Sequence, residues 1–515
     1  VRRPARGIQD AGRQTVSAVL DALASEVEAF LSETLEEHYR NGAGLKETLE
    51  LSPIYARHPH LFERGAVDRV RAERDRAADD ETRRRARYLL DFVVGGYLEG
   101  AVKEMVDALV TRETQGAVDV DGEKVPYRNL PVRIANEPDR SRRERYFTAR
   151  QDFTDGLNPD REAIWSREQQ LVRSLGYSTS LAMYRDLKGI DYPTLGRKME
   201  ELLSRTQAAY RHHFGPALEE RSGAGLGRAR KHDVAWMLRG TAFDGMFPKE
   251  KLVDALRETL HGLGIDLDRQ PNVHLDTEAR PQKSPRAFCA PVRVPSDVRL
   301  VILPQGGRDD YHALLHEAGH TQHFAHTRPE LPVEFRYLGD NSVTESFAFL
   351  FEYLTTNPRW LERILGASPA ETAAYRRFTY IDRLYFLRRY AAKLLYELEL
   401  HAAPSLDGMP ARYDAILSEA TGVQYGPVDY LDDVDSAFYV AEYLRAWALE
   451  VMVREVLATR FGSEWFASRK AGEFVRELWA SGQRDTGDEL ARRLGFSEID
   501  FEPITRELAG GPPAT

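Results

Sequence analysis

Two histidines four positions apart, His316 and His320, with Glu317 beside the first, are the residues of this 515-residue chain best spaced to do chemistry together. They lie in Asp309 to His326, DDYHALLHEAGHTQHFAH, a stretch patterned as one helix. Each helical residue advances about 100°, so the two histidines sit roughly 40° apart on one face, one turn above the other. Two imidazoles so placed can reach one metal ion. The H-E-x-x-H set is a zinc-hydrolase pattern, in which the glutamate takes a proton from water.

Such a site needs a third protein ligand and an open position for water. His326 stands ten residues after His316, the place of the third histidine in a metzincin, but that pattern requires glycine at position 323, where this chain has His323. In an unbroken helix His326 falls off the metal-facing side, and no Met-turn follows. Glu345, 25 positions beyond His320 in GDNSVTESFAFLFEYL, is the other candidate and would complete a His-His-Glu set. Glu345 also closes a capping box with Ser342, in which it would only bond the backbone. Glu352 on the same face either orients a histidine or faces solvent. His312 and His323 share the histidine face, where a structural or substrate-side role is expected.

The elements that must hold these residues are legible around them. The motif helix should start after Gly306-Gly307 with Asp309 or Asp310 as its cap and stop ahead of Pro329. Leu314, Leu315, Ala318 and Ala325 anchor its other side. Ala287 to Val294 and Val298 to Leu303 read as a hairpin leading into it, whose edge either pairs with an extended peptide or braces the helix. Helical patterns also cover Thr15 to Tyr39, Leu61 to Glu113, Arg140 to Leu157, Asp160 to Leu175, Tyr192 to Phe214 and Leu252 to Leu263. Alternating valines around Asp121-Gly122 predict a second hairpin, Ala117 to Tyr127. The basic runs Arg83 to Arg87 and Arg140 to Arg145 are interleaved with acid and read as solvated faces. Glycines and basic residues between Phe214 and His232 suggest a mobile connection.

A net charge of −10 argues against a nucleic-acid partner and leaves a small or peptide substrate as the easier one. The single cysteine, Cys289, forbids an internal disulfide and fits a reducing compartment. No run of about 18 apolar residues predicts a membrane span. A cytoplasmic location is the expectation, with room for an export signal removed ahead of Val1. The oligomeric state is not legible.

HEAGHTQH followed by a ligand-type glutamate resembles the thimet oligopeptidase and oligoendopeptidase F family, whose motif is H-E-x-G-H-x-x-H. His316, Glu317, Gly319, His320, His323 and Glu345 match it position by position. RAFC, VRLVIL and Asp310 are similar to that family's entry into the helix, and LPVEFR resembles the related angiotensin-converting enzyme. SAFYVAEYLRAWALE, with Tyr439 and Tyr443, is similar to the family's tyrosine pair, which binds the substrate carbonyl and stabilises the oxyanion. The chain departs from the pattern upstream of these tyrosines, where Leu431 to Asp435 replaces the family's histidine.

The resemblance implies a mostly α, prolate, two-lobed fold with a deep central channel and small β-hairpins near the active site. Residues 1–175 are expected to form an N-terminal helical region with a hairpin, 176–508 the zinc-peptidase region, and 509–515 a disordered tail. The implied activity is hydrolysis of short oligopeptides with one Zn²⁺ per chain: His316, His320 and Glu345 hold the metal, Glu317 is the general base, and Tyr443 with Tyr439 serves the oxyanion. Arg445 either holds a substrate's terminal carboxylate or is a surface arginine. A zinc-dependent amidase acting on a non-peptide small molecule, and a non-catalytic peptide-binding protein of the same fold, are the alternatives.

Overall fold

Why the motif helix lies where it does follows from the strands ahead of it. In Asp297–Val301, Val298, Leu300 and Val301 are buried, so the strand enters the core and takes partners on both edges. It pairs parallel with Val273–Asp276 and antiparallel with Phe288–Arg293, with an irregularity between Ala290 and Arg293. The expected hairpin is thus two-thirds of a three-stranded sheet. Its third strand comes from a short segment, VHLD, too brief to show a pattern of its own.

The computed structural model describes residues 7–512, with side chains from residue 18, and it is mostly helical. Positions 513–515 of the expected tail lie outside the described residues; Ala509 closes the helix Glu502–Ala509. No described helix is long and apolar enough to cross a membrane.

The chain forms two compact units, each assembled from three segments. The first comprises Val1–Tyr97, Phe243–Thr372 and Arg445–Asp500, and the second Leu98–Ala242, Ala373–Leu444 and Phe501–Thr515. The first unit contains the sheet, the motif helix Arg308–His326 and the helix Asn341–Glu352. Glycine at 306 and 307, with φ of 85° and 90°, turns the chain from sheet to helix. The expected aspartate cap is not formed: Gly307 is the N-cap residue, and Asp310 instead reaches back to accept the amides of Gln305 and Gly306. The Arg308 amide goes to Asp244. The basic run at Arg83 to Arg87 is not simply a solvated face. Arg85 pairs with the fully buried Glu334 at 3.0 Å, and Arg84 pairs with Glu489.

In the second unit, Ala117–Val120 and Glu123–Pro126 pair antiparallel around Asp121 and Gly122, both at positive φ. They pack with Leu130, Ile134, Tyr146 and Phe147 into a small core. The run at Arg140 to Arg145 also differs from the surface expectation. Arg143 is 1% exposed, and with Arg140 it binds the buried Asp233. The glycine-rich connection is pinned, with the Gly227 amide on the Gly422 carbonyl at 2.7 Å and Arg230 bridged to Gln424.

Beside Asp233, the imidazole of His232 is buried against Phe147, and neither ring nitrogen makes a hydrogen bond. Burial, opposed by Asp233 and reinforced by Arg143, pushes its pKa down to about 4. The folded state therefore favours the neutral ring, and its stability is full above the ordinary histidine pKa of about 6.5 and falls as pH drops from there toward 4. The loss is on the order of 3 kcal/mol at about 1.4 kcal/mol per pKa unit. Unfolding titrations between pH 7 and 4 should show His232→Leu flattening this acid limb, whereas an unchanged limb would place its origin elsewhere.

Candidate metal centre

The motif helix and Asn341–Glu352 cross with almost no space between them. A Cβ on Gly319 would stand 2.5 Å from the Phe347 carbonyl oxygen and 2.6 Å from the Ala348 Cα. Those separations are shorter than real contacts, so only glycine permits the crossing. Tyr311, Leu314, Leu315, Ala318 and Ala325 bury one side of the motif helix, and the second helix contributes Phe347, Leu350 and Phe351 to the same core. The half-buried His316 and His320 of the first helix meet the buried Glu345 of the second.

Glu345 Oε2 lies 3.5 Å from His316 Nε2 and 3.6 Å from His320 Nε2. Nitrogen and oxygen ligands at about 2.0–2.2 Å in a tetrahedral zinc site stand roughly 3.3–3.6 Å from one another. The donor set therefore has the spacing a shared cation requires. His316, His320 and Glu345 form the one group of potential metal ligands found among the described residues.

The histidines present their Nε2 atoms because their other nitrogens are held. His316 Nδ1 lies 2.9 Å from Glu352 Oε2, and His320 Nδ1 lies 2.9 Å from Thr344 Oγ1. A donated Nδ1–H leaves each Nε2 lone pair for a metal and fixes the ring's orientation. Glu352 thus takes the first of its two expected roles. Nothing in the sequence marks Thr344, which falls at an unspecified position between Ser342 and Glu345 of the expected capping box. That box does not form: the N-cap is Asp340, which accepts from Ser342 N, and Glu345 lies beyond the first turn.

Electrostatics follow the same geometry. Burial lowers the basicity of His316, but the carboxylates of Glu345 and Glu352 overcome it and hold its pKa up to about 10. Burial opposes ionisation of Glu345, and the two imidazoles overcome it and hold the carboxyl well below its ordinary range. The two carboxylates thus favour the protonated ring of His316, a proton that a cation taken up there would displace.

The Cys289 amide of the neighbouring strand donates to Glu317 Oε2 at 2.9 Å. Pro291, two positions along the same strand, has no amide hydrogen to donate. Compared with known proteins, the chain matches no family model and no curated protein.

His326 is not part of the cluster. The helix runs unbroken to it, and its Nδ1 lies 2.9 Å from the carbonyl of Gln322 in the preceding turn. His323 is fully buried against Phe324 and Phe347 with Nε2 3.1 Å from the Gly482 carbonyl, and burial pushes its pKa down to about 3. It is a core residue. His312 Nδ1 lies 3.9 Å from Glu352 Oε1. Arg445 is neither a surface arginine nor open to a substrate carboxylate, because it is buried between Asp340 and Asp488, at 3.1 Å from each.

Tyr439 and Tyr443 belong to the second unit, in the first turn and a half of Tyr439–Phe461. Both are half-buried, with ring centroids 4.6 Å apart. The acidic segment before them is held by cations: Asp432 by Arg150 and Arg161, Asp433 by Arg389, and Asp435 by Lys393 at 2.6 Å.

Two substitutions check the construction. Gly319→Ala should cost about 1–3 kcal/mol through overpacking and weaken zinc binding, read by thermal unfolding and chelator competition. Thr344→Val, which keeps the shape and removes the Oγ acceptor, should raise the zinc dissociation constant about 10-fold with little change in melting temperature. An unaltered constant would remove Thr344 from the site.

Proposed function

We propose that this protein is a zinc-dependent metallopeptidase of the thimet oligopeptidase and oligoendopeptidase F type, hydrolysing peptide bonds in short oligopeptides. The observation that carries the proposal is the convergence of His316 Nε2, His320 Nε2 and Glu345 Oε2, with each histidine fixed from behind. The donor set fits zinc: two imidazoles and one carboxylate leave a fourth tetrahedral position open, the arrangement of catalytic rather than structural sites.

Zinc, when held by these three residues, supplies Lewis-acid polarisation and lowers the pKa of water. The remaining work falls to the chain. Glu317 adjoins the first ligand in sequence and takes the proton of the attacking water, then delivers it to the leaving amine nitrogen as the C–N bond breaks. The Cys289 amide orients the Glu317 carboxylate for this transfer. The strand Phe288–Arg293 accepts an extended substrate by backbone pairing through its carbonyl groups, since the Cys289 amide is engaged and Pro291 has none. Tyr443, with Tyr439 beside it, donates its phenol to the oxyanion that develops on the carbonyl oxygen. A prolate two-lobed architecture with a deep channel belongs to this reading, and such a channel admits short unfolded peptides.

Metal analysis and digestion of a mixed peptide library, on the wild type and Glu317→Gln, test the proposal. About one zinc per chain in both proteins is expected, with cleavage by the wild type and at least a 10²-fold loss in the variant. Zinc without cleavage of any peptide would replace it by an amidase acting on a small molecule or by a peptide-binding protein. A chain that binds no zinc would end the metal assignment.

A further inference from the structure

Asp340 occupies an unusual position: the N-termini of two helices meet on its one buried carboxylate. Oδ1 accepts the Ser342 amide at 3.0 Å and the Ser342 hydroxyl, at the start of Asn341–Glu352. Oδ2 accepts the Gly487 amide at 2.8 Å, the first residue of the helix Gly487–Leu494. Arg445 donates to the same Oδ2 at 3.1 Å and to Asp488 Oδ2 at 3.1 Å. Two helix dipoles and a guanidinium thus face one carboxylate that is 8% exposed. The approach is tight on the far side as well, since a Cβ on Gly487 would stand 2.7 Å from the Ser342 Oγ.

The metal-site residues lie directly downstream. Thr344, which holds His320, and Glu345, the third ligand, are the fourth and fifth residues of the capped helix. Three positions on, Ala348 is locked against Gly319. Glu345 is therefore clamped between two anchors, a double cap before it and a glycine crossing after it. A helix that loses its cap frays through its first turn, and that turn includes Thr344.

We propose that Asp340, fixed by Arg445 and the Gly487 amide, is a positioning residue that sets the metal affinity of the His316, His320 and Glu345 site. The inference rests on the metal reading above and extends it to residues that touch neither metal nor substrate. Each contact is complete within the first unit, and the C-terminal segment that supplies Arg445, Gly487 and Asp488 thereby becomes part of the apparatus that holds zinc.

The test measures the zinc dissociation constant of the full chain by chelator competition, alongside metal-free melting temperature. Asp340→Ala should raise the constant about 10–100-fold. Asp340→Asn keeps an acceptor for Ser342 but meets the Gly487 amide and Arg445 with a neutral group, and Arg445→Met removes the clamp's cation. Both should raise the constant severalfold even if Asp340→Ala does not fold. Asp191→Ala is the control: Asp191 caps Tyr192–Ala209 in the other unit by the same kind of bond, to the Thr194 amide, and its loss should lower the melting temperature while leaving zinc affinity alone. If the Asp340 and Arg445 variants behave like that control, the cap is structural and the proposal fails. If the wild type binds no zinc, or His320→Ala binds it as tightly as the wild type, the metal reading itself fails, an outcome the first comparison cannot mimic.

Discussion

The crossing of two helices at Gly319 is the constraint on which the centre depends. A carboxylate on one helix can share a cation with two imidazoles on another only if the backbones approach to within the reach of those short side chains. The 2.5 Å and 2.6 Å separations from a notional Cβ show that the approach has been taken to its limit. What surrounds the crossing serves to keep it: apolar side chains bury both helices, and the Gly306-Gly307 turn sets where the first begins. Glycine carries an entropic cost in the middle of a helix. Here the closeness it allows is what brings the Glu345 carboxylate within range of both imidazoles.

Much of the centre was legible in the sequence because helical periodicity is local. His316 and His320 share a face by spacing alone, and the motif helix has the expected extent. Glu345 could be named only as one of two candidates, because its partners lie 25 and 29 positions away and spacing along the chain does not encode that distance. The capping-box reading of Ser342 and Glu345 fails for a simple reason: the helix starts two residues earlier than the motif suggests, after Asp340, and the register of every cap moves with it. Asp310 misled in the same way, bonding the turn behind it rather than the helix ahead.

The basic runs teach a related lesson. Alternation of acid and base along Arg83 to Arg87 and Arg140 to Arg145 resembles a solvated surface, yet Arg85 reaches a fully buried Glu334 and Arg143 a fully buried Asp233. Composition cannot distinguish an arginine paired with its neighbour from one paired with a buried acid 90 or 249 positions away. In a low-dielectric interior such pairs are satisfied or very costly, so their presence marks where distant segments must meet. The acidic segment before Tyr439 is of the same kind, each of Asp432, Asp433 and Asp435 being met by a cation from elsewhere in its unit.

The first unit is assembled from three stretches of chain, and the last of them begins 100 residues after Glu345. During synthesis the ribosome therefore delivers both histidines and Glu345 long before Arg445, Gly487 and the rest of that stretch exist. At about 5–20 residues per second, the interval lasts several seconds or more. Until it ends, the helix carrying Glu345 lacks half of its N-terminal clamp and part of the core it packs on. A nascent chain thus exposes a pair of histidines without a finished third partner, and the complete donor set is a property of the whole unit, closed only when the chain returns.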